Sequence, residues 1–149
     1  VHGLSARKVN GLGTRYFEEF IEDFMYDLQY VTHLVGHNAS FDLNSIKSYL
    51  HQPLNKILNS KQVECTMTDY LSIYSKTVCG ESGVYDRAWV NLSELLSILV
   101  NRYGFDLNDI YSNFKRLTGR DHKLHDSSFD AYVTYLAHQN ARKVLENAI

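Results

Sequence analysis

Two short stretches combine residue types that do chemistry. His37-Asn38-Ala39-Ser40-Phe41-Asp42 gathers an imidazole, an amide and a carboxylate, and His125-Asp126-Ser127-Ser128-Phe129-Asp130-Ala131 gathers an imidazole and two carboxylates. Near neutral pH an imidazole can take a proton from water, and a carboxylate oxygen is a natural ligand for a hard divalent cation. Each stretch also has a plain structural reading. Asn38, Asp42 and Asp126 are residue types that cap helices, and a histidine beside a capping aspartate needs no function. Neither stretch decides the matter alone, because so few common residues match a pattern easily.

The elements that must position them follow from the periodicity. Thr14 reads as an N-cap, and Phe17, Phe20, Ile21, Phe24, Met25 and Leu28 follow at helical spacing with an aromatic-rich buried stripe. The apolar run at Leu34 and Val35, closed by Gly36, predicts a brief buried strand, so the first cluster lies where a strand ends and a helix begins. Ligands in α/β sheets collect at the carboxyl ends of strands. A second helix is expected from about Phe41 to Leu50, stopping before Pro53, and a second strand over Gln62–Met67. Tyr70, Leu71 and Tyr74 suggest a further helical segment.

Downstream, Asn91 followed by Glu94 resembles a capping box ahead of Leu92, Leu95, Leu96, Leu99 and Val100. Asp106–Leu117 reads as helix, and Phe129, Tyr132, Val133, Leu136, Val144 and Leu145 mark a long final one. With Asp126 as its N-cap, His125 sits just outside and Asp130 one turn inside. The pattern is α/β with a parallel pair of strands. Two strands make a poor sheet by themselves, because three or more are normally needed for independent stability.

At 149 residues the chain has the length of one domain with a single core, and 44% hydrophobic with 21% charged residues is ordinary globular composition. No apolar run is long enough for a membrane span, and no signal peptide is recognisable. Cys65 and Cys79 are too few for a disulfide scaffold and lack metal-ligand spacing, so an intracellular setting is expected, cytoplasmic or nucleoid/nuclear. A formal charge of −2 argues against coating nucleic acid by bulk electrostatics, but not against gripping a strand end. Lys115, Arg116, Arg120, His122 and Lys123 gather just before His125, as a loop that steers phosphates inward or as an ordinary solvated one.

Taken together and in order, His37-Asn38-x-x-Phe41-Asp42, Cys65-Thr66 and His125-x-x-x-x-Asp130 resemble the second and third motifs of the DnaQ-like (DEDDh) 3′–5′ exonucleases. Val1-His2-Gly3-Leu4 is similar to the hydrophobic-His-Gly-Ile segment before that family's first long helix. Ser127 departs from the alanine often found in the third motif. The resemblance implies a ribonuclease H-like fold and removal of nucleotides from a nucleic-acid 3′ end with two divalent ions, Mg²⁺ or Mn²⁺. It implies Asp42 and Asp130 as metal ligands and His125 as general base on the attacking water. Asn38, Phe41, Arg120 and Lys123 are the candidate substrate contacts, although a core role is expected first for Phe41 because apolar residues are mostly buried. The implied partner is a single-stranded 3′ end, with a DNA polymerase as a further candidate and no membrane.

The family's first motif, Asp-x-Glu on the first strand, is absent: no aspartate here is followed two positions later by glutamate. With Val1 rather than methionine at its start, residues 1–149 are expected to be a partial exonuclease domain with little activity alone. A different class also suits the residues: a non-catalytic relative serving as a nucleic-acid-binding or assembly module. That module would need none of His125, Asp42 and Asp130.

Overall fold

The structure is a computed structural model and describes residues 19, 21–50, 52–79, 85–122 and 126–148. In chain order the elements are α1 (Ile21–Tyr30), β1 (His33–Gly36), α2 (Ala39–Tyr49), α3 (Gln52–Asn59), β2 (Gln62–Cys65), β3 (Ser75–Cys79), β4 (Tyr85–Trp89), α4 (Leu92–Tyr103), α5 (Leu107–Thr118) and α6 (Ser127–Glu146). The architecture is mixed α/β and mostly helical, with β1 and β2 as a small parallel pair and β3 with β4 as a separate antiparallel pair. Thr14, Phe17, Phe20 and the Val1–Leu4 segment lie outside the described residues. Among those described, no helix is long and apolar enough to cross a membrane.

Where the length suggests one core, the chain divides into two compact units, each with its own apolar cluster. The first comprises residues 1–34 and 41–62, the second 35–40 and 63–149. In the first unit, Met25 and Leu28 on the inner stripe of α1 pack with Leu50 and Leu58, and Ile21, Phe24, Leu34, Leu43, Ile46 and Ile57 border them. Helix α3 belongs to this cluster. Pro53 does end the preceding helix, but it also occupies the first turn of a new one, where its missing N–H costs nothing.

The second unit is organised by α4, α5 and α6. Asn91 forms both bonds of a capping box: its side chain accepts from the Glu94 N–H at 2.9 Å, and Glu94 Oε2 accepts from the Asn91 N–H at 2.8 Å. Asp106 caps α5 by accepting from the N–H groups of Asn108 and Asp109 at 2.7 and 3.0 Å. Gly104 and Gly119 end these two helices at φ 71° and 70°, a left-handed conformation that glycine adopts without strain. Val90, Leu95, Leu99, Ile110, Phe114, Phe129, Val133, Ala137 and Ala141 form the buried centre.

Two expectations are corrected in this unit. The Tyr70–Tyr74 region is a run of turns rather than a helix, closed by Ile73 N–H to Tyr70 O at 2.9 Å and Tyr74 N–H to Tyr70 O at 2.8 Å. Beyond it come two strands that the sequence pattern does not show, registered Ser75 to Trp89 through Cys79 to Tyr85. Trp89 and Val78 of this hairpin remain exposed, so its residues lack the buried alternation by which strands are recognised.

Tyr74 is wholly buried, and its hydroxyl donates to the Ala137 carbonyl at 2.6 Å while accepting from Asn140 Nδ2 at 2.9 Å. Burial, reinforced by the neighbouring Tyr103, pushes its pKa up to about 12 against the opposing bond from Asn140. Tyr70 is also raised, by burial first and then by its hydrogen bond to the Glu64 carboxylate. Both pKa values lie above the unfolded value of 10, so the stability they contribute is full below pH 10 and is lost as pH rises through the folded values. For Tyr74 the shift corresponds to roughly 2–3 kcal/mol. Denaturant unfolding is therefore expected to show stability falling between pH 10 and about 12, and less steeply in Tyr74→Phe. A flat profile over that window would contradict the burial of these hydroxyls.

Candidate functional site

The first cluster begins where β1 stops. A Cβ on Gly36 would meet the Ala39 Cβ at 2.9 Å and its Cα at 3.0 Å, so only glycine lets the chain fold back this tightly into α2. Asn38 carries the turn with φ 68°, the one positive-φ non-glycine among the described residues and a conformation that asparagine tolerates better than most. His37 is held on both sides: Nε2 lies 3.0 Å from the Val90 carbonyl and Nδ1 3.0 Å from Thr66 Oγ1. Val90 O can only accept, so Nε2 donates to it; the Thr66 hydroxyl has one proton to share between His37 Nδ1 and the Gly36 carbonyl, 3.3 Å away.

Thr66, wholly buried, fastens the end of β2 to the end of β1 through its N–H to Gly36 O at 2.8 Å. The strand-end position expected for Cys65-Thr66 is the one observed. Burial of Cys65 acts to raise its thiol pKa, but the Thr68 side chain and the backbone N–H groups of Ala39, Thr68 and Met67 outweigh it, and the net direction is downward.

Asn38 is exposed and belongs to the second unit; Phe41 and Asp42 are exposed and belong to the first. Phe41 is 66% exposed, which overturns the core role expected for it. It stands in the first turn of α2, where no apolar neighbour of the cluster covers it. Asp42 occupies the same turn, where the positive end of the helix dipole favours a carboxylate.

The second cluster opens α6. Asp126 is its N-cap, accepting from the Ser128 N–H at 3.0 Å, and the Asp130 N–H bonds the Asp126 carbonyl at 2.9 Å. Asp130 is half-buried one turn inside the helix, as the spacing predicts. Between them Phe129 is wholly buried against Tyr111 and Phe114, and this anchor fixes how the turn bearing Asp130 sits. His125 and Lys123 lie outside the described residues.

The basic stretch is less free than its composition suggests. Lys115 pairs with Asp121 at 2.8 Å; this contact raises the lysine and lowers the aspartate pKa. Arg120 donates from Nη1 to Ser128 Oγ at 3.2 Å, so it is tied to the first turn of α6. Arg116 donates to Asn113 Oδ1 at 3.2 Å.

Within the second unit the structure therefore brings together Arg120, Asp126, Ser128 and Asp130. Asp42 and Asp130 fall in different units. Among the described residues no group of three or more His, Cys, Asp or Glu side chains is arranged to hold a metal ion.

A further polar network has no signature in the sequence. Glu64 on β2 accepts from the Tyr70 hydroxyl and lies 3.1 Å from His138 Nε2 on α6. The partners are 74 positions apart, and only the folded second unit joins them.

Comparison of the chain with protein-family models, with curated proteins and with solved structures gives no significant match.

Proposed function

We propose that the chain is part of a 3′–5′ exonuclease domain of ribonuclease H-like fold, acting on a nucleic-acid 3′ end. The observation that carries this reading is placement. The Asn38–Asp42 segment follows the end of a strand of the parallel pair, and Asp130 stands one turn inside a helix capped by Asp126. Exposure of Phe41 adds to it, since an apolar ring at the surface beside Asp42 suits contact with a terminal nucleotide.

Asp42 and Asp130 are the residues proposed to ligate the divalent ions, with His125 as the base. The ions would lower the pKa of the attacking water and stabilise charge on the scissile phosphate. Two carboxylates do not make a two-metal centre, and Mg²⁺ in particular dehydrates reluctantly and binds sparse sites poorly.

Two measurements test the reading. The 149-residue chain with Mn²⁺ should leave a 5′-labelled single-stranded oligonucleotide intact, whereas the product of an upstream-extended reading frame should shorten it stepwise from the 3′ end. An upstream frame without Asp-x-Glu on a strand, joined to lack of cleavage by the extended product, overturns the nuclease in favour of a non-catalytic module. Stepwise shortening by the 149 residues alone, abolished in Asp130→Ala, overturns the inactivity of the isolated chain.

A further inference from the structure

We propose that the ring stack of Tyr111 and His122, with Arg120 tied to the adjoining turn of α6, is a platform on which a base of single-stranded nucleic acid stacks. The choice of nucleic acid as ligand rests on the nuclease reading above, and the geometry belongs to the second unit alone.

Tyr111 projects from α5, and His122 follows the turn that Gly119 makes after that helix. Their rings are parallel, with centroids 3.3 Å apart and planes within 3°. This is about the spacing of successive bases along a nucleic-acid strand, ~3.4 Å. His122 is nonetheless exposed, so the stack reaches the surface there. The stack does not float: Tyr111 and His122 each lie 5.8 Å, ring to ring, from the wholly buried Phe129. A rigid aromatic ledge of this kind loses little conformational freedom when a base is laid on it, and base–aromatic stacking is indifferent to sequence.

Charge favours the same ligand. Lys115 is neutralised by Asp121, and the Asp126 carboxylate is engaged in capping α6. Arg116 and Arg120 have only neutral partners, Asn113 and Ser128, among the described residues. Each guanidinium carries five N–H donors, so each keeps donors for phosphate. Arg120 reaches Ser128 and His122 reaches Phe129, so cation and ring meet at the same turn of α6, the one that bears Asp130. A strand whose base rests on His122 is thereby held at the first turn of α6.

The test is fluorescence anisotropy of a labelled oligothymidylate with the whole chain in EDTA and low salt, where no hydrolysis intrudes. His122→Ala should weaken binding about tenfold, and His122→Phe should retain it, because a phenyl ring also stacks. Arg120→Ala should weaken binding and reduce the slope of log K against log salt by about 0.7, the loss of one phosphate contact to a single strand. Circular dichroism of each variant checks that the fold is intact. Absence of binding by the unaltered chain overturns the proposal, as does equal binding by His122→Ala, which would leave the stack a structural contact only. Binding in EDTA that depends on His122, with no cleavage by the upstream-extended product, sustains the platform while removing the nuclease. Cleavage by that product with no dependence on His122 does the reverse.

Discussion

Phe129→Ala is expected to lower the unfolding free energy by about 3–5 kcal/mol, the usual cost of emptying a phenyl-sized space in a packed core. Phe129 is wholly buried, with Phe114 at 5.1 Å and 76°, Tyr111 at 5.8 Å, and His122 at 5.8 Å around it. Edge-to-face pairs of this kind add to the energy of burial alone. Tyr111 and Phe114 are both held on α5 and have little freedom to close the gap, so the loss should lie toward the upper end of that range. Urea denaturation followed by far-ultraviolet circular dichroism measures it. Phe129→Leu, which refills most of the volume, should cost markedly less. A loss below about 1 kcal/mol in Phe129→Ala would mean that the site collapses freely and that the first turn of α6 is not anchored as described.

The second large effect concerns catalysis. If the proposed nuclease reading holds, His125→Ala in the upstream-extended product should slow shortening of a single-stranded substrate by about 10²–10⁴-fold, the usual contribution of a general base. The loss should fall on kcat, because the proton is removed in the transition state and not on binding. Raising the pH, which supplies hydroxide directly, should recover part of the rate in the variant but not in the parent. An equal change in KM with kcat unaltered would make His125 a binding residue and remove it from the role proposed for it.

Local signals in the sequence were legible because they act over one turn. The Asn91–Glu94 pair and the Asp126 cap are visible as residue types at fixed offsets, and each forms the bonds its type implies; Asp106, read as the first residue of its helix, caps it instead. Pro53 shows why a breaker is ambiguous: a residue without an N–H follows the end of α2 and yet suits the first turn of α3. Tyr70, Leu71 and Tyr74 imitate helical spacing, yet two of the three are tyrosines whose hydroxyls are committed to Glu64 and Ala137, and the backbone between them only turns. The hairpin was illegible because its strands are mostly exposed and carry no apolar alternation.

Phe41 failed the general rule that apolar side chains go inside, and such failures mark places where a residue is held at the surface. The Tyr111–His122 stack and the Glu64–His138 contact depend on distant parts of the chain meeting, which no local spacing encodes.

The course of the chain through its two units bears on how the protein can be taken apart. Val35–Ser40 lies with the second unit, whereas the residues before and after it lie with the first. Neither unit is one continuous stretch, and a gene fragment beginning at Val63 omits six residues of the unit it is meant to encode. Among the omitted residues is the imidazole that pairs with the Val90 carbonyl and the buried Thr66 hydroxyl. Such a fragment would lose both hydrogen bonds, about 0.5–1.5 kcal/mol each. Dissection by simple truncation is thus a poor route to the second unit. A gene that replaces residues 41–62 with a short linker, and so joins the hexapeptide to the downstream segment, would keep that unit whole.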